Sequence, residues 1–140
     1  MIEYFKMAFQ KYADFSGRST RPEFWWFYLA NILISMGLYI LSLIFIFMEI
    51  PMLGGIMMFG FFIYTLAVLI PYLAVAVRRL HDTNRSGWFL LLSLIPLVGP
   101  IILIVFWAQE TYPQDNNWGP VPGSGSNLED SLVDFDKDIV

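Results

Sequence analysis

The stretch from Phe24 to Met48, FWWFYLANILISMGLYILSLIFIFM, runs for 25 residues without a single Asp, Glu, Lys or Arg. A helix rises ~1.5 Å per residue, so about 20 apolar residues cross a ~30 Å hydrocarbon core. Two further runs meet the same criterion: Ile50 to Val77, 28 residues, and Trp88 to Gln109, 22 residues, are also uncharged. Three such runs in 140 residues leave too little polar surface to cover them in water. The sequence predicts an all-α integral membrane helical bundle with transmembrane segments at about 22–47, 55–77 and 88–108.

Composition supports that reading. The chain is 57% hydrophobic, 18% aromatic and 14% charged, where average chains are roughly a quarter charged. Disordered, collagen-like and nucleic-acid-binding classes are excluded on this ground. Cysteine is absent, which removes disulfides, thiolate metal sites and a Cys nucleophile from consideration. The net charge of −4 resides wholly in the last thirteen residues, while the rest balances seven acids against seven bases. Residues 1–122 therefore read as the membrane domain. Residues 123–140 read as a Gly/Ser linker followed by a disordered acidic tail.

Upstream of the first long run, Ile2, Phe5, Phe9 and Tyr12 recur at helical spacing, with Glu3, Lys6, Gln10 and Asp14 largely opposite. This predicts an amphipathic helix over 1–15 that lies in the headgroup layer or packs on the bundle; the interfacial placement is the expectation carried forward. Ser16-Gly17-Arg18-Ser19 breaks the period. Thr20 followed by Glu23 has capping-box spacing, and Pro22 sits in the first turn, where its missing N–H is tolerated. The first span should start near Arg21. That run is too long, and begins too late, for a secretory signal.

The bases outside the tail fall in two clusters, Lys6, Lys11, Arg18 and Arg21, then Arg78, Arg79 and Arg85, while the Glu49-Ile50-Pro51 link carries none. The positive-inside rule puts both clusters and the N-terminus in the cytoplasm. Residues 78–87 are expected to form a cytoplasmic loop, and Pro71 to kink the second span. The third segment is interrupted by Pro96, Gly99 and Pro100, leaving apolar arms of about eight residues on each side. It reads as a kinked span or a re-entrant hairpin; a span is simpler and puts the C-terminus on the opposite side.

Chemistry concentrates at the cytoplasmic rim: Arg18, Arg21 and Glu23, with Arg78, Arg79, His81, Asp82 and Arg85. Guanidinium forks bind carboxylate and phosphate bidentately, so Glu23 and Asp82 can hold two loops together. The surplus positive charge then remains for anionic lipid headgroups or an acidic partner. Equally, the arginines can simply set topology and anchor helix ends. His81 beside Asp82, with Ser86 near, suggests a hydrolase, yet no nucleophile elbow accompanies them, and one His without Cys does not make a zinc site. Asn31, Ser35, Leu38 and Ser42 share one helix face, either gluing helices or lining a polar path.

Gly17-Arg18, Arg21, Glu23, Phe24 and Trp25, then Arg78-Arg79-Leu80-His81-Asp82-Thr83 with Arg85-Ser86-Gly87-Trp88, and later Asn116, Trp118-Gly119-Pro120 and Pro122, form a pattern over about residues 1 to 122. It resembles domain of unknown function 805, a family of small bacterial inner-membrane proteins of the YhaH type. The resemblance implies a multi-spanning helical protein with no established biochemical activity, and it supplies no catalytic residues or cofactor. It marks Asn116, Gly119 and Pro120 as a second motif. Where the family often has a basic residue after the asparagine, this chain has Asn117. The expectation is a non-enzymatic bacterial inner-membrane protein that docks anionic lipid or a partner through its arginine rim. The alternative is an oligomeric small-molecule or ion transporter or channel component, with a homo-oligomer or a membrane-protein partner.

Overall fold

The computed structural model describes residues 2–122 and is helical, apart from one isolated antiparallel bridge between Asn116 and Gly119. The helices are α1 (Ile2–Gln10), α2 (Arg21–Phe47), α3 (Pro51–Asp82), a 3₁₀ helix η1 (Gly87–Leu94) and α4 (Val98–Ala108). The expected tail lies outside the described residues. Contacts divide the chain into two units, residues 2–15 with 22–75, and residues 16–21 with 76–122.

In the first unit, α2 and the start of α3 form an antiparallel pair joined by a tight turn. Helix α2 ends in a Schellman motif. Glu49 takes φ 61°, its N–H donates to Ile46 O at 3.1 Å, and the Ile50 N–H donates to Phe45 O at 3.0 Å. Small residues and hydroxyls hold the pair together, as is usual where lipid removes the hydrophobic drive between helices. Ser42 Oγ donates to Gly54 O at 3.0 Å, and Tyr64 Oη donates to Asn31 Oδ1 at 2.6 Å. A Cβ at Gly54 would come within 2.6 Å of the Ile46 side chain, so close approach is why glycine stands there. Asn31 and Ser42 thus act as glue between helices.

Helix α1 lies against α2. Its aromatic face packs on α2, with Phe5 and Phe9 ring centroids 5.7 and 6.5 Å from Phe27, and Ala8 is buried. The helix is tied down by a consequence of Pro71. Proline has no N–H, so the carbonyl four residues before it, Ala67, loses its helical donor. Tyr12 Oη donates to Ala67 O at 3.0 Å instead. A backbone acceptor that would be orphaned in an apolar medium is thereby satisfied, and α3 continues through Pro71 as one helix.

The second unit contains the last turns of α3, η1 and α4. Residues 78–82, expected as loop, are helical. The helix stops at a second Schellman motif: Asn84 takes φ 59°, its N–H donates to His81 O at 3.0 Å, and the Arg85 N–H reaches Leu80 O at 2.9 Å. Ser86 then caps η1 by accepting from the Trp88 N–H.

The expected third span at 88–108 is not a single helix. Instead of one helix, η1 and α4 fold against each other around Ile95–Leu97, where Leu97 takes φ 66° and the Val98 N–H donates to Pro96 O at 2.8 Å in a γ-turn. Eight residues of 3₁₀ helix and eleven of α-helix rise roughly 16 Å each, half of a ~30 Å core. The arms return the chain to its starting point, because the Tyr112 N–H donates to Asp82 O at 2.9 Å. Among the described residues, two helices, α2 and α3, are long and apolar enough to cross a membrane.

Candidate functional site

The second unit gathers the motif residues around one carboxylate. Asp82, in the last turn of α3, is fully buried. Its Oδ1 accepts from Arg18 Nε at 3.0 Å, and its Oδ2 accepts from Arg79 Nη1 and from Thr111 Oγ1, the latter at 2.8 Å. The pairing with Arg79 follows from helical i, i+3 spacing. The pairing with Arg18 is long-range and depends on Gly17, whose φ of 79° turns the preceding loop.

Each guanidinium fills its remaining N–H groups with backbone carbonyls. Arg18 donates through Nη1 to Gln114 O at 2.9 Å and Gly119 O at 3.4 Å, and through Nη2 to Tyr112 O at 2.7 Å and Asp82 O at 3.3 Å. Arg79 donates through Nε to Trp107 O at 2.9 Å, through Nη1 to Ser19 O at 3.3 Å, and through Nη2 to Gln109 O. The Ser19 N–H in turn reaches Arg78 O at 3.1 Å. Two buried cations are thus balanced by one buried carboxylate and by carbonyl dipoles, which is the condition for holding charge away from water. Only the planar, five-donor guanidinium can distribute bonds this way; an ammonium would reach fewer partners.

The second motif closes over the same cluster. The His81 ring stacks on Trp118, centroids 4.6 Å apart and 7° from parallel. His81 Nδ1 lies 3.1 Å from Gly17 O; a carbonyl only accepts, so Nδ1 carries the hydrogen. Asn116 Nδ2 donates to His81 O at 2.9 Å, and Asn116 Oδ1 accepts from the Trp118 N–H at 3.0 Å. Gly119 takes φ 135° in the bridge with Asn116. Exposed Pro120 follows.

The arrangement therefore joins Arg18, Arg79, His81, Asp82, Asn116 and Gly119. Arg85 stands apart from that cluster, its guanidinium 4.1 Å above the Phe106 ring, where it clamps the loop to α4 by a cation–π contact. Arg78 and Arg79 are buried, 1% and 0% exposed, so the cationic surface expected of them is not at the surface. Arg21 is exposed. Glu23 is buried in the first unit, whereas Asp82 holds two arginines within the second. The hydrolase pair does not form: His81 faces Gly17 and Trp118, and the Ser86 hydroxyl caps η1. Among the described residues, no group of three or more His, Cys, Asp or Glu is placed to hold a metal ion. Sequence reasoning missed Thr111, Phe106 and the carbonyls of Trp107, Gln109 and Tyr112. Carbonyls belong to every residue, so composition gives no sign of them.

Comparison with known proteins gives a consistent result. The model of the family described as "Protein of unknown function (DUF805)" matches residues 12–120. Inner membrane protein YhaI of Escherichia coli (strain K12) is 36% identical over 126 residues, covering 90% of this chain and 100% of the relative. Inner membrane protein YhaH of the same strain is 38% identical over 128 residues, covering 86% of this chain and 97% of the relative. No solved structure matches.

Proposed function

Since the chain belongs to the DUF805 family, whose relatives named above are inner membrane proteins, we propose that it is a non-enzymatic integral membrane protein whose cytoplasmic cap docks anionic lipid headgroups. In this reading α2 and α3 cross the bilayer, and η1 with α4 dip into it as a re-entrant hairpin. The observation that carries it is the bonding of Tyr112, Gln114 and Gly119 to Arg18 and of Tyr112 to Asp82. Two crossings leave residues 18 and 82 on one face, so a loop bonded to both belongs on that face too. The positive-inside rule makes it the cytoplasmic face, since the Glu49 turn has no Lys or Arg.

The interior arginines fasten the cap; of the rim arginines, exposed Arg21 and half-buried Arg85, the latter over the Phe106 ring, face outward for lipid, in addition to exposed Lys6 and Lys11. Three residues after Arg85, Trp88 is 78% exposed, and Leu91, Leu94 and Leu97 are exposed along the hairpin. An indole at the boundary between cation and apolar surface is the arrangement of a headgroup-depth anchor. A basic residue near an anionic surface contributes about 1 kcal/mol. The double variant Arg21→Gln with Arg85→Gln is therefore expected to lower binding to phosphatidylglycerol vesicles roughly tenfold or more, with insertion unchanged. Equal anionic lipid binding by the variant and the parent would refute the docking role.

A further inference from the structure

Within the first unit, α2 and α3 leave a cavity of about 150 Å³ lined by Asn31, Ser35, Tyr64, Thr65, Val68 and Tyr72. Most of its polar groups are already committed. Tyr64 Oη donates to Asn31 Oδ1, Asn31 Nδ2 donates to Phe27 O at 2.9 Å, and Thr65 Oγ1 donates to Phe61 O at 2.9 Å. The hydroxyls of Tyr72 and Ser35 are different: both residues are half-buried, and neither hydroxyl bonds to any described residue. On two helices that cross a bilayer there is no bulk water to satisfy them, and a hydroxyl without a partner in hydrocarbon is costly.

Three features narrow what satisfies these donors. A cavity of about 150 Å³ accommodates a single six-membered ring. The cavity carries no carboxylate, amine or guanidinium, so its ligand is neutral. The uncommitted groups are hydroxyls, whose O–H can donate to an acceptor such as a carbonyl oxygen. The Tyr28 ring, 6.2 Å from that of Tyr72, adds an aromatic neighbour for a flat ligand.

We propose that this cavity binds the head ring of a membrane-dissolved quinone, its carbonyl oxygens accepting from Tyr72 and Ser35 and its tail lying in lipid. The proposal concerns binding alone and is independent of the role of the cap. It is tested with the full-length chain in nanodiscs of phosphatidylethanolamine and phosphatidylglycerol, titrated with tritiated decyl-benzoquinone against empty nanodiscs. The expected result is saturable binding above the empty discs. Tyr72→Phe and Ser35→Ala should each weaken it about tenfold, as befits loss of one hydrogen bond in an apolar site. Tyr39→Phe, beside Phe61 and away from the cavity, should not. Should Tyr72→Phe fail to fold, Ser35→Ala carries the test. No saturable excess overturns the proposal. So does undiminished affinity in the cavity variants, or a retained phospholipid that the quinone cannot displace, which would assign the donors to an ester carbonyl.

Discussion

Asp82→Ala is expected to unfasten the second unit at a cost of roughly 3–5 kcal/mol, the range for breaking a buried ion pair by removing one partner. Asp82 is fully buried and is the carboxylate to which both Arg18 and Arg79 bond. Without it, two buried guanidiniums keep only carbonyl dipoles, and Thr111 Oγ1 loses its acceptor. Asp82→Asn retains an acceptor oxygen but not the charge, and should fall between parent and alanine variant. The check is thermal unfolding in detergent combined with limited proteolysis: cleavage within residues 109–122 should rise sharply, while α2 and α3 remain protected in vesicles. Equal protection of that segment in Asp82→Ala would refute the clamp.

Gly99→Ala carries the next largest effect. A Cβ at this position would lie 1.6 Å from Leu92 O and 2.7 Å from Leu92 C, so η1 and α4 approach each other backbone to backbone. A flexible side chain could move aside; a carbonyl held in a 3₁₀ turn cannot. The variant is expected to lose about 3 kcal/mol or more, the upper end for overpacking, and to open the hairpin. Gly60→Ala makes the comparison, since nothing lies within 4 Å of its added Cβ. There the gain in helix propensity, up to about 1 kcal/mol, should leave the midpoint equal or raised. Similar midpoints for Gly99→Ala and Gly60→Ala would contradict the hairpin packing.

Uncharged runs, Thr20, Pro22 and Glu23 were enough to start α2 where it begins, at Arg21. The same logic places loop after Val77, whereas α3 stays helical for five more residues to Asp82, because charge alone does not distinguish a loop from the end of a helix. Yet Arg79 and Asp82 are three apart and bond along the helix, a spacing visible in the sequence. The aromatic stripe of α1 was legible but its docking partner was not, since that depends on the acceptor Pro71 leaves at Ala67. Pro96, Gly99 and Pro100 marked a break in the third segment without deciding whether the chain goes on or turns back. What decides it is a set of bonds from Arg18, Arg79 and Tyr112 to main-chain oxygens, and main-chain oxygens have no sequence signature. The motif residues were identifiable one by one; their convergence on Asp82 was not.

The central claim is that the third apolar segment returns to the face it leaves, and the absence of cysteine makes this directly measurable. Single cysteines at exposed Ser16, Glu49 and Asn117 would be treated with a membrane-impermeant thiol reagent on intact cells and on inverted vesicles. Labelling of Ser16→Cys and Asn117→Cys from the cytoplasmic side only, with Glu49→Cys from the other side, is the predicted result. Labelling of Asn117→Cys from the side opposite Ser16→Cys would mean that residues 88–108 cross the bilayer, and would contradict both the hairpin and the cap.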